Sequence, residues 1–271
     1  MSKKKNLPAR SGAKSDVPSY LQVPDADLGN DNIDASDIVI PRVKIVQPTS
    51  NAAKESIKGI KDGDLYNTLG MESYGNELSF FVLLFWKSRV WFSDDFKLLG
   101  THYLDATTKE EIWFGGQVEQ CKTNWDAGKD SFNYMVLPEE DLKQALKTKE
   151  IPFPCIFSCI SAAMGKARQL NGKITTNAMK RIPIYGQLIT MTTVAQKFPK
   201  GTAYMPLFSY GRYANQAEFS FMQELHPRCK DLQRRADTHH DIDASDSQGA
   251  KGQPAGKAAK GDPLNDDDVP F

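Results

Sequence analysis

Two segments of the chain interleave aromatic rings with lysine or arginine. One is Trp86-Lys87-Ser88-Arg89-Val90-Trp91-Phe92, and the other runs from Tyr204 to Tyr213. Exposed rings stack on unpaired nucleic-acid bases at about 1–3 kcal/mol per base, and cations beside them contact phosphates. The candidate contact residues are four in each segment: Trp86, Lys87, Arg89, Trp91, Tyr204, Phe208, Tyr210 and Arg212. For any single ring, ordinary packing in a β core is the competing interpretation.

The formal net charge of zero conceals a separation of charge along the chain. Residues 151–217 contain 8 Lys and Arg and no Asp or Glu. Residues 231–271 contain 5 Lys and Arg against 9 Asp, a net charge of −4. A basic body favours a polyanionic partner, and an acidic tail is able to compete with that partner for the body.

Further candidate phosphate contacts lie in the acid-free stretch. Five cations surround a predicted helix and the turn that follows it: Lys166, Arg168, Lys173, Lys180 and Arg181. Lys197 and Lys200 flank Phe198-Pro199 in a predicted hairpin loop, which is able to close over a nucleic-acid strand. The alternative interpretation of the five cations around the helix is that they form a solvated helix face with no nucleic-acid contact.

The strongest strand signal is residues 78–92. Its first half is apolar on both faces, which predicts a central strand. Simple alternation places five of its side chains on one face: Leu78, Phe80, Val82, Leu84 and Trp86. Other predicted strands are residues 38–46, 111–114, 132–137, 156–160, 184–194 and 203–213.

Three helices are predicted. Residues 138–149 begin with proline and two glutamates, and residues 161–170 end at an Asn171-Gly172 turn. Residues 215–235 form the last helix, where Asn215 and Glu218 have the spacing of a capping box. Many short strands with few helices predict a mainly β (α+β) protein, specifically an OB-fold-like small β-barrel with helical and loop elaborations.

Composition divides the chain into three parts. Residues 1–36 are polar and predicted to be a flexible N-terminal arm, residues 37–235 the binding domain, and residues 236–271 a disordered linker with an acidic tip. The longest apolar run, Leu78–Trp86, is shorter than the roughly 20 residues that span a bilayer. With no secretion signal and four sparse cysteines, the sequence predicts no membrane contact and a cytoplasmic location.

Signatures of catalysis are missing from the sequence. Gly172-Lys173 is followed by Ile174 rather than Ser or Thr, so it is not a phosphate-binding loop. The spacings Cys155/Cys159 and His226/Cys229 are not the usual zinc pairs. We therefore predict a protein that is not an enzyme, with no catalytic residue, no cofactor and no metal.

The sequence closes on Asp266-Asp267-Asp268-Val269-Pro270-Phe271, three carboxylates followed by a small apolar group. Six residues are too few to form a core, so we predict that a partner protein binds the tip. Burying Phe271 in a pocket contributes about 1.5–3 kcal/mol, and a basic rim would engage the aspartates.

The tip resembles that of bacterial single-stranded DNA-binding proteins, which end in Asp-Asp-Asp-Ile-Pro-Phe after a Gly/Pro/Gln-rich linker; here Val269 replaces Ile. The resemblance implies recruitment of replication, recombination and repair proteins through Phe271 and residues 266–268. The body is longer than a plain OB domain, and in this respect the chain resembles a phage-encoded single-stranded DNA-binding protein. The resemblance implies neither the bacterial tetramer nor any particular stacking residue. Whether the protein forms a homo-oligomer stays open.

The expected function is therefore binding and protection of single-stranded DNA, without strong sequence specificity, during phage DNA replication or recombination in the host cytoplasm. An RNA-binding or strand-annealing protein of the same chemistry is the first alternative. A metal-dependent nuclease that uses Asp94-Asp95 or Glu139-Glu140-Asp141 is the second, although a turn and a helix N-terminus explain those acids more simply.

Overall fold

The computed structural model describes residues 40–94, 97–105, 108–199 and 201–235. The predicted arm, the linker with its tip and Lys200 lie outside the described residues. The strands are β1 Val43–Ile45, β2 Leu65–Asn67, β3 Glu72–Gly75, β4 Glu77–Phe92, β5 Leu98–Leu104, β6 Glu111–Phe114, β7 Lys129–Pro138, β8 Cys155–Ile160, β9 Gln187–Phe198 and β10 Gly201–Tyr213. The α-helices are α1 Asn51–Ser56, α2 Val118–Thr123, α3 Glu139–Thr148, α4 Met164–Met179 and α5 Gln216–Arg235.

β4 is the central strand, as the sequence predicts. It pairs antiparallel with β9 through residues 77–81, with β7 through residues 80–90 and with β5 through residues 89–92. β6 continues the sheet beyond β5, and β8 continues it beyond β7. Strands β1, β2 and β3 form a separate small sheet.

A register shift between Val82 and Leu84 changes the face on which β4 side chains lie. Phe80 and Val82 belong to one hydrophobic cluster, the first core, whereas Trp86 belongs to the second core on the other face. The prediction that Trp86 shares a face with Phe80 is wrong, because an extra residue at a bulge inverts the alternation beyond it.

Each core has its own helical cover. The first core is covered by α4, whose Met164, Ala167 and Leu170 are buried in it. The second core is covered by α3 and α5, which contribute Leu142 and Met222. The sheet is therefore a layer between two helical covers, and residues on its first-core face are separated from those on its second-core face.

The described strands do not close into a hydrogen-bonded barrel. Instead, the segment before β2 bridges the free edges of β8 and β10. Ile156 N donates to Pro41 O at 2.8 Å on the β8 side. On the β10 side, the Gln47 side chain donates to Tyr204 O at 2.9 Å and accepts from Tyr204 N at 2.8 Å. The mainly β class with helices is confirmed, while the predicted OB-like barrel is replaced here by a bridged, open sheet.

Of the helix predictions, one is confirmed and one is wrong. The capping box is confirmed, because Asn215 N donates to Glu218 Oε2 at 2.9 Å and Glu218 N donates to Asn215 Oδ1 at 3.0 Å. The turn predicted at Asn171-Gly172 is wrong, because α4 continues through it to Met179. Tyr134 Oη donates to Asn171 Oδ1 at 2.9 Å, so a contact from β7 outweighs the local turn preference.

We expect Trp86→Ala to lower the free energy of unfolding by about 3–5 kcal/mol, because it leaves a cavity in the second core. Trp86 is only 5% exposed. Urea denaturation checks the loss, with Trp125→Ala as the control because Trp125 is exposed. Equal, small effects of the two substitutions would show that Trp86 is not a core residue.

Candidate nucleic-acid interface

A row of lysines lies where α4 runs beside β10. Lys166 and Lys173 are seven residues apart, two helical turns, and Lys180 follows at the same spacing just past the helix end. Tyr210 Oη donates to Gln169 O at 3.4 Å, and Lys173 Nζ is 5.4 Å from the Tyr210 ring centroid. We call Lys166, Lys173, Lys180 and Tyr210 the seam.

The seam lysines lack carboxylate neighbours. Within the part of the chain that the structure describes, no Asp or Glu lies within ion-pair distance of Lys166, Lys173 or Lys180, nor of Arg168 or Arg181 beside them. The reason is local, since α4 and β10 both come from the acid-free stretch. Their charge is therefore available to an external anion.

Several other cations of the body are already paired with carboxylates. Lys54 lies 2.6 Å from Asp62, Lys122 lies 2.7 Å from Glu119, and Lys143 lies 2.7 Å from Glu140. A neutralised ammonium group offers a phosphate much less than a free one, because the new contact must replace an existing one. The contrast favours the seam over these three lysines as a site for a polyanion.

Arg212 is also paired with carboxylates, although the sequence pattern groups it with Tyr210 as a candidate nucleic-acid contact. It donates to Glu218 at 2.6 and 2.7 Å and to Glu139 at 2.8 Å. The register of β10 shifts between Tyr210 and Tyr213, so the shared face ends at Tyr210. The hydrogen bonds from Arg212 lower the pKa of Glu218, while burial opposes that shift. Arg212 therefore ties α5 and α3 to the sheet.

Among the β10 candidates, Tyr210 offers the most accessible ring. Phe208 packs edge-on against Phe157 at 6.0 Å and is partly buried at the first core. Tyr204 packs over Gly63, where a Cβ would lie 2.6 Å from the ring. Tyr210 is 38% exposed. Lys197 is exposed near the hairpin loop, as predicted.

The fold buries the tryptophans of the first aromatic-basic segment and leaves Lys87 exposed. Trp86 and Trp91 are buried, Lys87 is exposed with its Nζ 5.5 Å from the Phe132 ring centroid, and Arg89 lies 3.7 Å from Asp130. Neither tryptophan presents an exposed ring face for stacking.

A tryptophan cluster that sequence reasoning missed surrounds Trp91. Its ring centroid is 5.6 Å from that of Trp113 and 5.4 Å from that of Trp125. His102 packs on Trp113 at 4.4 Å, and burial lowers its pKa. These rings come from β4, β5, β6 and the turn before β7. The aromatic-basic pattern singles out Trp91 but neither Trp113 nor Trp125.

The surroundings of this cluster are less suited to DNA than the seam. Residues 97–130 carry 4 Lys and 6 Asp and Glu, a net charge of −2. Trp125 is exposed, but Arg89, whose Cζ lies 5.0 Å from that ring, is paired with Asp130. An acidic lobe repels phosphates, so we take the seam as the candidate interface.

The cysteines lie in separate places. Cys155 and Cys159 are in the first core, whereas Cys229 is in the second, and burial raises the pKa of each thiol. Among the described residues there is no group of three or more His, Cys, Asp and Glu side chains arranged to hold a metal ion. None of the described helices is both long and apolar enough to cross a membrane.

The fold and the seam define a mainly β protein with a free cationic track on its first-core side. The chain belongs to the Pam3 phage gp34-like protein family, whose model matches residues 9–234. The family name places the chain among phage proteins, which agrees with the expected phage origin. No curated protein and no solved structure matches the chain.

The Arg212–Glu218 contact predicts a loss of stability in acid. Because the folded-state pKa of Glu218 is lowered, its contribution is present above the unfolded pKa, about 4.3, and is lost as pH falls through the folded value. We expect urea stability to fall more steeply below about pH 5 in the natural protein than in Glu218→Gln. Glu119→Gln is the control, since Glu119 is exposed; parallel curves for the natural protein and Glu218→Gln would contradict this account.

Proposed function

We propose that the protein binds single-stranded DNA without strong sequence preference, as part of phage DNA replication or recombination. The observation that carries the proposal is the row of Lys166, Lys173 and Lys180 beside the exposed ring of Tyr210; no carboxylate of the described residues pairs with these lysines. The fit of the tip to that of single-stranded DNA-binding proteins supports it independently.

The seam suits a strand with exposed bases. Lys166 and Lys173 lie about 10 Å apart along the helix axis, so with Lys180 they form a cationic track of roughly 20 Å. Phosphates along this track release counterions, which provides affinity without reading sequence. Tyr210 adds a ring on which an unpaired base is able to stack, and a base inside a duplex has no free face for that contact.

The tip supplies the second half of the proposed function. Asp266, Asp267 and Asp268 with Val269, Pro270 and Phe271 would recruit replication, recombination or repair proteins. Because the tip lies outside the described residues, its support is the sequence alone. DNA binding by the body and recruitment by the tip are separable.

Fluorescence anisotropy with labelled strands tests the binding half. We expect tight binding of oligo-dT, weaker binding of oligo-U and weakest binding of duplex DNA of the same length. Preference for oligo-U would favour the RNA-binding alternative, and cleavage that depends on a divalent metal would establish a nuclease. Absence of binding to every strand at low salt would end the proposal.

The triple variant Lys166→Ala, Lys173→Ala, Lys180→Ala should bind oligo-dT weakly and with less dependence on salt. Each lost phosphate contact on a single strand lowers the slope of log affinity against log salt by about 0.7, so three lower it by about 2. Titrations at several salt concentrations measure the slope.

The matched control removes three neutralised lysines: Lys54, Lys122 and Lys143. Both triple variants lose three positive charges, so general attraction falls equally in both. A slope that changes by the same amount in the two variants would show that the seam is not the phosphate track.

Tyr210→Ala should weaken oligo-dT binding by about 1–3 kcal/mol, whereas Tyr210→Phe should keep most of the affinity because the ring remains. Tyr213→Ala is the control, because Tyr213 is exposed on the same strand beyond the register shift. Equilibrium titration gives the affinities, and unaltered binding by Tyr210→Ala would remove the stacking role.

A further inference from the structure

A small cleft lies on the second-core side, away from the seam. It is lined by Ile151, which follows α3, and by four residues of α5: Phe221, Glu224, Leu225 and Arg228. Phe221 and Leu225 are one helical turn apart and form an apolar wall. Ile151 is 57% exposed, so apolar surface extends out of the cleft to solvent.

The cleft carries a free cation at its rim. No Asp or Glu in the described ranges lies within ion-pair distance of Arg228, including Glu224 one turn earlier on the same helix. An apolar wall beside an unpaired guanidinium fits an apolar group that follows carboxylates. Glu224 opposes an acidic ligand, so the contact is expected to be weak.

The chain supplies such a ligand close by. Residues 236–271 follow directly on α5, and their last six residues place Val269-Pro270-Phe271 behind three aspartates. Arg228 is seven residues before the last residue of α5, about 10 Å along the helix. The 30 residues 236–265 separate α5 from the tip, and a chain of that length reaches up to about 100 Å, which covers this distance.

Tethering makes even a weak contact matter. Because the tip and the cleft belong to one chain, docking is intramolecular, so an affinity that would be negligible between separate molecules is sufficient within one chain. The tip of the same chain is therefore the ligand that these features of the cleft favour.

We propose that the tip docks into this cleft when no partner protein holds it, with Phe271 against Phe221 and Leu225 and the aspartates beside Arg228. The contact would store the tip and set a threshold for partners, which must compete for it. Since α5 covers the second core and α4 the first, docking leaves the seam open to DNA. This differs from the sequence-based expectation that the tail competes for the basic surface.

The test places the photo-reactive residue p-benzoylphenylalanine at position 271 of the full chain and irradiates it without DNA. We expect peptide mapping to find cross-links at Ile151, Phe221 or Leu225. A mixture of isotopically heavy and light chains shows whether each link lies within one chain. Because no DNA is present, the result is independent of the proposed DNA binding.

Two variants sharpen the test. Arg228→Glu and Ile151→Glu should each reduce the cross-link several-fold, and both positions are exposed, so folding should be kept, as thermal melting will show. Arg168→Glu, an exposed cation next to the seam, is the matched control and should leave the cross-link unchanged. Links on α4 or β10, links between chains, or yields indifferent to Arg228→Glu would overturn the proposal.

Discussion

A strand that is apolar on both faces must be covered on both faces, and β4 is such a strand. Phe80 and Val82 need a cover on one side, and Phe81 and Leu83 need one on the other. The burial of each large side chain contributes about 1.5–3 kcal/mol, so neither cover is dispensable. Helix α4 supplies the first cover, and α3 with α5 supply the second. The position of the seam follows, because its lysines flank the buried face of α4.

Charge availability then decides which surface is suited to DNA. Lys143 and Arg212 sit among carboxylates and hold helices in place. Among the described residues the seam lysines have no such neighbours, because β8, α4, β9 and β10 all come from residues 151–217. The tryptophan cluster has more rings than the seam but lies in a lobe with a net charge of −2. The number of aromatic rings and the availability of positive charge therefore favour different surfaces, and the proposed interface follows the charge.

Local interactions were predictable from the sequence. Strand β4, helix α3 and the capping box of α5 depend on residues that are neighbours in the chain. The burial of Met164, Ala167 and Leu170 follows their three-residue spacing on one helix, which is also a local pattern. The lysines of the seam were named as phosphate contacts, a role that stays a prediction.

Non-local interactions were not predictable. The bulge that moves Trp86 to the second core depends on the pairing of β4 with β7. The continuation of α4 depends on Tyr134 holding Asn171, and the capture of Arg212 depends on Glu139 from another helix. Trp125 joins Trp91 and Trp113 only after four segments meet. In each case a distant partner outweighs the local pattern.

The central claim is that a single strand lies along α4 and β10. Ultraviolet cross-linking of oligo-dT to the full chain, followed by peptide mapping, tests it most directly, because such a link forms only where a base touches a side chain. The account predicts links at Tyr210 and in the neighbouring residues of α4. Links confined to Trp125 and Trp113, with none on α4 or β10, would contradict it.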